Sequence, residues 1–136
     1  MAYERKETYT LEKVFAHVYS AKECRANPEL EKHVFDGDEI KMTSGRYKTF
    51  KYTGHVCKKC GLVGKYFAKE RHKTRTSEKY HFNLYGIHKH GYEVMLTKDH
   101  IKPKAEGGRD TLMNYQTMCV KCNGRKSDDW NGLSGC

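Results

Sequence analysis

The sequence Asp99-His100-Ile101-Lys102-Pro103 begins the most informative segment of this chain. The segment continues through Gly107-Gly108 and Asn114, and it ends with Cys119-Val120-Lys121-Cys122-Asn123 and Lys126. A carboxylate, an imidazole and two side-chain amides therefore occur within one short stretch. These groups bind hard cations and transfer protons, so the segment has the composition of a metal-assisted hydrolytic site.

The chemistry of phosphodiester hydrolysis explains why these residue types would occur together. The reaction needs an activated water, neutralisation of charge on the phosphate and stabilisation of the departing oxygen. Imidazole titrates near neutral pH, so His100 is the candidate general base. Asp99 offers a carboxylate oxygen and Asn123 an amide oxygen. These oxygens suit one Mg²⁺ or another divalent cation, which keeps coordination positions for phosphate and water.

Four of the six cysteines form two C-x-x-C pairs, Cys57/Cys60 and Cys119/Cys122, with 58 residues between the pairs. Together they can supply four thiolates to one structural zinc, which would tie two distant parts of the chain together. Gly61 follows the first pair and is expected to adopt the left-handed backbone conformation. The alternatives are two unrelated pairs or a redox pair, although no thioredoxin-like βαβ pattern surrounds either one. Four thiolates leave the ion no open position, so no catalysis is assigned to it.

Residues 46–127 resemble the HNH nuclease family, on the strength of Asp99-His100, Asn114, the two C-x-x-C pairs and Asn123. The resemblance implies a ββα-metal unit, with asparagine rather than histidine in the third position of the motif. In that unit His100 would be the general base, and Asp99 and Asn123 would be ligands of one catalytic divalent ion. Asn114 would be a brace that hydrogen-bonds the backbone of the loop beside His100. The family cuts or nicks DNA and leaves 5′-phosphate and 3′-hydroxyl ends.

The charge of the chain is unevenly distributed. Lys and Arg number 26 against 17 Asp and Glu, a net charge of +9, and residues 1–40 carry −3 while residues 41–136 carry +12. A basic body attracts polyanions such as nucleic acid, and lysines that merely maintain solubility are the simpler alternative. The candidate contacts with nucleic acid are Arg46, Lys48, Arg71, Lys73, Arg75, Lys98, Lys102, Arg109 and Lys126.

The composition argues against a membrane or secreted protein. No run of 18 apolar residues occurs, so no membrane partner is expected. The polar start MAYERKETYT is not expected to be a secretory signal. Six cysteines without such a signal favour a reducing compartment, the cytoplasm of a bacterium or of a phage-infected cell, and a phage or mobile-element enzyme would suit this size and charge. Cys24 and Cys136 have no second cysteine at ligand spacing and are expected to be ordinary thiols.

Hydrophobic periodicity and the resemblance together predict an α+β fold with a short N-terminal helical extension. One apolar stripe of an amphipathic helix is formed by Leu11, Val14, Phe15 and Val18. A second short helix is predicted from Asn27-Pro28 to Gly37, with Leu30 and Val34 on its buried edge. The expected division is an acidic helical extension over 1–40, a zinc-stabilised nuclease domain over 41–130 and a flexible tail over 131–136.

After residue 46 the pattern changes to short strands and turns. Strands are predicted over 65–69, 82–87 and 92–97, the last two joined as a hairpin, and a short helix is predicted over 119–126. Residues 46–52 alternate cations with aromatic rings, which either stack on bases or pack along a strand.

Three functional interpretations follow from the sequence. The first is a metal-dependent DNA endonuclease with a one-metal mechanism. The second is a non-catalytic, zinc-stabilised nucleic-acid-binding module, against which the joint presence of Asp99, His100, Asn114 and Asn123 argues. The third is a protein-interaction module that docks a partner through the N-terminal helices. A homodimer is also left open, and the sequence does not identify the target site or the preferred catalytic metal.

Overall fold

The computed structural model describes residues 2–128 of the chain. In chain order the elements are β1 (Tyr3–Thr10), α1 (Leu11–Phe15), α2 (Ala21–Ala26), β2 (Lys32–Phe35), β3 (Asp38–Lys41), α3 (Gly45–Lys48), β4 (Tyr66–His72), β5 (His81–Ile87), β6 (Glu93–His100), β7 (Tyr115–Cys119) and α4 (Val120–Asp128). Short 3-10 turns occur at Pro28–Glu31, Lys104–Glu106 and Leu112–Asn114, and a π-helical segment at Thr49–Thr53 extends α3. This mixture of sheets and short helices agrees with the α+β prediction.

Five strands form one sheet in the order β1-β4-β5-β6-β7, and each neighbouring pair is antiparallel. β2 and β3 form a separate hairpin. That hairpin turns at Asp36-Gly37, where both residues have positive φ (49° and 86°), as tight two-residue turns of this kind require.

The hydrophobic core lies between one face of the sheet and the short elements that cover it. Phe67, Phe82 and Leu84 from β4 and β5 are fully buried, and so are Val14, Val18, Ile40 and Phe50 from the covering elements. Each such side chain stabilises the fold by about 1.5–3 kcal/mol relative to exposure. The Tyr47 hydroxyl accepts a hydrogen bond from the backbone N–H of Phe82 at 2.8 Å, so α3 is fixed directly to β5.

The opposite face of the sheet carries a hydrogen-bonded polar network. Glu70 is fully buried and accepts hydrogen bonds from Arg5 Nε (2.8 Å), Asn83 Nδ2 (2.8 Å) and the Tyr85 hydroxyl (2.6 Å). Arg5 also forms a bidentate pair with Glu93, at 2.9 and 3.0 Å. These contacts join β1, β4, β5 and β6, and they satisfy a carboxylate that would otherwise be costly to bury.

The predicted N-terminal helical extension is only partly correct. The stripe of residues 11–18 is buried as expected, but the helix that carries it, α1, has only five residues. β1 precedes it and pairs with β4 as an edge strand of the main sheet. The chain division at residue 40 therefore does not coincide with a structural boundary, because residues from both sides form the same sheet and core.

Two further predictions of local structure are wrong. Asn27 caps a 3-10 turn rather than an α-helix, and Val34 lies in β2 with 57% of its surface exposed. Residues 46–52 are helical rather than extended, and Tyr47 and Phe50 from this segment are core residues. In both places the hydrophobic spacing was compatible with more than one element type.

The strand and hairpin predictions for the second half are confirmed, with longer strands than expected. β5 and β6 pair as a hairpin, β4 begins one residue later than predicted, and β6 extends to His100. The predicted tail over 131–136 lies outside the described residues. Within the described chain no helix is long and apolar enough to cross a bilayer.

Candidate functional site

Asp99 and His100 are the last two residues of β6, beside the start of β7. Asp99 lies opposite Gln116, whose Nε2 donates to Asp99 Oδ2 at 3.0 Å, and His100 lies opposite Tyr115. Because side chains alternate along a strand, the two residues point to opposite faces of the sheet. A phosphate that reaches both side chains must therefore lie across the end of β6.

The imidazole of His100 is held by Asp110, a residue that the sequence interpretation did not include. His100 Nε2 lies 2.7 Å from Asp110 Oδ1, and Lys104 Nζ lies 3.0 Å from the other carboxylate oxygen. The hydrogen bond from His100 and then that from Lys104 lower the pKa of Asp110. An ionised carboxylate only accepts hydrogen bonds, so Nε2 carries the proton and, in the neutral ring, Nδ1 carries the lone pair.

Asn114 ties together the two ends of the loop after His100. Its Oδ1 accepts from the Lys102 backbone N–H at 2.9 Å, while its Nδ2 donates to the carbonyls of Lys102 (3.0 Å) and Arg109 (2.9 Å). Its own carbonyl accepts from the Ile101 N–H at 2.8 Å. These are contacts with loop backbone on both sides, the geometry that a brace requires.

Gly108 allows this loop to close. A Cβ at residue 108 would lie 1.7 Å from the Lys102 carbonyl oxygen and 2.9 Å from that of Pro103. No side chain fits at those distances, so the loop can fold back on residues 102–103 only with glycine at position 108.

Asn123 lies in the first turns of α4, which follows β7 directly and packs against β6. β6, β7 and α4 thus form one strand–strand–helix unit, in which β6 carries Asp99 and His100 and α4 carries Asn123. The helix predicted over 119–126 is confirmed, except that Cys119 is the last residue of β7 rather than the first of the helix.

The four cysteines of the two C-x-x-C pairs converge. Their sulfur atoms all lie within 4.8 Å of one another, and the Cys60 and Cys119 sulfurs are 3.8 Å apart. A tetrahedral zinc with bonds of about 2.3 Å would set its sulfur ligands about 3.8 Å apart, so the cluster has the dimensions to hold such an ion. The residues that carry the first pair are fixed to β7 by the Lys58 N–H, which donates to the Thr117 carbonyl at 2.9 Å.

The backbone around the first pair favours a thiolate at Cys57. Burial opposes ionisation, but hydrogen bonds from the backbone of Cys60, Cys119 and Lys59 outweigh it and lower the pKa of Cys57. Gly61 has φ 81°, so the left-handed conformation predicted after the pair is present. A metal bound by the cluster would be enclosed by sulfur on all sides, as in structural sites.

One comparison with known proteins finds a match over this part of the chain. Residues 86–129 match the family model for HNH endonuclease. This part of the chain is similar to HNH endonucleases. The match begins at the end of β5 and includes the whole of β6, β7 and α4. No curated protein and no solved structure is significantly similar to the chain.

Within residues 86–129, sequence reasoning missed Gln116, which contacts Asp99, and two charged residues near His100, Asp110 and Lys104. Asp110 and Lys104 lie in the loop between β6 and β7, and the only signal available was their place between His100 and Asn114. Exposed charged residues in a loop are ordinary, so only the fold shows that Asp110 returns to His100.

The described basic residues proposed as nucleic-acid contacts fall into three groups. Arg46 donates to Asn83 Oδ1 and the Phe82 carbonyl, and Arg71 is paired with Glu4 and the Thr76 carbonyl, so both serve the fold. Lys73 and Arg75 are exposed in the connection between β4 and β5, which the sheet register places at the same end as His100. The third group lies on α3, on β6 and in the loop between β6 and β7. Its members are Lys48, Lys98, Lys102 and Arg109. The Lys126 side chain lies outside the described part of the chain.

Proposed function

We propose that the protein is a metal-dependent DNA endonuclease that hydrolyses phosphodiester bonds. The observation that carries the proposal is the arrangement at the end of β6, where Asp99 and His100 meet a loop braced by Asn114. That arrangement lies within the segment that matches the HNH family, and α4, which carries Asn123, packs against the same strand.

The role proposed for His100 is that of general base. With Nε2–H donated to Asp110, its Nδ1 lone pair accepts the proton of the attacking water. The water oxygen then bonds to phosphorus, the bond to the 3′ oxygen breaks, and that oxygen leaves with a proton from solvent. The products carry 5′-phosphate and 3′-hydroxyl ends, as those of the family do.

Asp99 and Asn123 are the proposed ligands of one divalent cation such as Mg²⁺. A carboxylate and an amide oxygen suit a hard cation that retains water ligands. When bound, such a cation supplies charge neutralisation at the phosphate and at the departing oxygen. Gln116 holds one Asp99 oxygen in place, so the carboxylate is oriented before any cation arrives.

The four cysteines are proposed to hold a structural zinc rather than a catalytic metal. Their sulfurs surround one point, and the cluster lies where β7 passes into α4. The ion would therefore fix the start of the helix that carries Asn123.

Conversion of supercoiled plasmid in the presence of Mg²⁺ tests the proposal. The wild-type protein is expected to produce relaxed or linear DNA, and EDTA, Asp99→Ala and His100→Ala are each expected to reduce the rate at least about a hundredfold, the scale of general-base and metal effects. Relaxed product alone would indicate a nickase. The matched control is His90→Ala, which removes an exposed histidine from the turn at the other end of β6 and should leave the rate unchanged.

Equal cutting by wild type and His100→Ala would contradict the role of His100. Salt-sensitive binding to DNA without cutting under Mg²⁺, Mn²⁺ or Ni²⁺ would favour the binding-module interpretation instead.

A further inference from the structure

A cleft of about 580 Å³ opens next to the loop between β6 and β7, between the covering helices and the end of the sheet. Its walls include Ala21 of α2, Lys48 of α3, Tyr52, and three residues of the HNH segment, Asp110, Leu112 and Tyr115. We refer to it as the Tyr52 cleft. Its volume falls in the range of about 300–1,000 Å³ that is typical of small-ligand sites.

The Tyr52 cleft adjoins His100 through two of its own wall residues. Asp110 accepts the hydrogen bond from His100 Nε2 at 2.7 Å, and the Tyr115 ring lies edge-on to the imidazole with 5.1 Å between centroids. A group bound in the cleft would therefore be separated from the His100 ring by a single layer of side chains.

The walls combine exposed apolar surface with one cation, Lys48, and one carboxylate, Asp110. Tyr52 is 46% exposed and Leu112 39% exposed, so both present apolar surface to the cleft. Lys48 is part of the wall, and Lys98 Nζ lies 4.1 Å from the centroid of the Tyr115 ring. An aromatic slot beside two ammonium groups matches the two halves of a nucleotide, because the base can stack on the ring while its phosphates pair with the cations.

Gly45 keeps the wall next to these cations close to the sheet. A Cβ at residue 45 would lie 3.3 Å from Lys98 Nζ and 3.8 Å from Tyr115 Cε2. The backbone of α3 thus approaches Lys98 and Tyr115 directly and positions Lys48 on the same side of the cleft.

We propose that the Tyr52 cleft binds one unstacked nucleobase of the strand whose phosphate reaches His100. Bases inside a duplex are stacked and paired, so a base enters such a pocket only from a single-stranded or distorted position, or after it has been flipped out. The inference rests on the proposed nuclease function and defines its substrate class: nucleic acid with an unpaired or easily unstacked nucleotide beside the scissile phosphate.

Binding of a short single-stranded oligonucleotide that contains 2-aminopurine tests the cleft without catalysis. In EDTA and at fixed salt, wild type and Tyr52→Phe are expected to quench the fluorescent base by stacking. Tyr52→Ala is expected to bind about tenfold more weakly and to lose the quenching, since one base–aromatic stack contributes on this scale. The matched control is Tyr92→Ala, which removes a tyrosine of similar exposure (43%) at the opposite end of β6.

A cleavage experiment in Mg²⁺ separates the cleft from the nuclease itself. Duplexes with and without one unpaired nucleotide are compared by the ratio of their kcat/KM values. Wild type is expected to prefer the unpaired site about tenfold, while Tyr52→Ala loses that preference.

If Tyr52→Ala binds and discriminates as wild type does, the proposal for the cleft is overturned, and cutting by wild type would still support the nuclease proposal. If wild type never cuts but binding depends on the ring of Tyr52, the cleft stands and the nuclease proposal fails. Thermal unfolding of each variant checks that the fold is retained.

Discussion

His100 owes its orientation to one carboxylate in the loop that follows it. Asp110 is more than half exposed, so this pair contributes little to the stability of the fold. Its effect is on the ring itself, because accepting a hydrogen bond from Nε2–H selects one tautomer and fixes the plane of the imidazole. Asp110 is therefore a positioning residue in the proposed mechanism.

Asp110→Asn is expected to lower kcat about tenfold or more with little change in the Kd for DNA. An asparagine side chain keeps the shape but removes the charge that favours one tautomer. Steady-state cleavage and a separate binding measurement in EDTA give the two quantities.

The control for Asp110→Asn is Glu106→Gln, which removes one negative charge from an exposed position in the same loop. General electrostatic effects on DNA binding should be similar in the two variants. An equal kcat for both would rule out orientation of His100 by Asp110.

At the scale of the elements, the cysteine cluster connects the segment that carries Cys57 and Cys60 to the junction of β7 and α4. Without a metal, that segment would be held to β7 mainly by backbone contacts such as Lys58 N–H to the Thr117 carbonyl. Because binding energy at such a site becomes folding energy, loss of the ion should loosen the start of α4.

Cys60→Ser is expected to reduce bound zinc well below one ion per chain and to lower Tm by about 10 °C or more, since structural zinc contributes several kcal/mol. Cys60 is the exposed member of the cluster, so the substitution leaves little cavity and mainly removes a ligand. Metal analysis and thermal unfolding followed by circular dichroism measure the two effects.

Cys24→Ser makes the same chemical change at a buried cysteine that is not part of the cluster. It should retain the metal. Normal zinc content in Cys60→Ser would show that the four sulfurs do not act together.

The elements around the site were predictable where local signals agreed. The turn residues at 88–91 predicted the β5–β6 hairpin, and the cysteine spacing predicted the cluster. β7 was missed because residues 115–119 are a short strand that leads straight into a helix, with no turn between them. β1 was missed because its residues are mostly charged or polar, and their suitability for a strand depends on partners far along the chain.

At the scale of the whole molecule, several acidic residues of the first 40 form ion pairs with basic residues of β4. Lys69 is fully buried and contacts Glu7 and Asp38, each at 2.7 Å, and Arg71 pairs with Glu4. Glu4, Glu7 and Asp38 thus offset cations of β4. Composition alone could not reveal this, since it does not show which charges are buried together.

The Arg5–Glu93 pair predicts a loss of stability in acid. The hydrogen bond from Arg5 is the main reason that the pKa of Glu93 lies below its ordinary value of 4.5. A carboxyl group with a lowered pKa in the folded state stabilises the fold above its unfolded pKa, and that contribution disappears as pH falls through the folded value. Denaturant unfolding should show the free energy of unfolding declining as pH drops below about 5.

Glu93→Gln should be less stable than wild type at pH 7. Its free energy of unfolding should also decline less steeply in acid, because unfolding of the variant takes up fewer protons, by up to about one. Glu29→Gln, at an exposed carboxylate outside the network, serves as the control. Identical pH dependence in wild type and Glu93→Gln would exclude this pair as a source of acid sensitivity.

The wide separation of the two cysteine pairs also has a consequence for biosynthesis. At translation rates of about 5–20 residues per second, the 58 residues between Cys60 and Cys119 take about 3–12 s to make. During that interval the nascent chain has only half of its cysteine cluster, and β7 and α4 do not yet exist. The cysteine cluster and the proposed catalytic site are therefore completed together, once α4 has been made, so a ribosome-bound chain that has not reached α4 should not cut DNA.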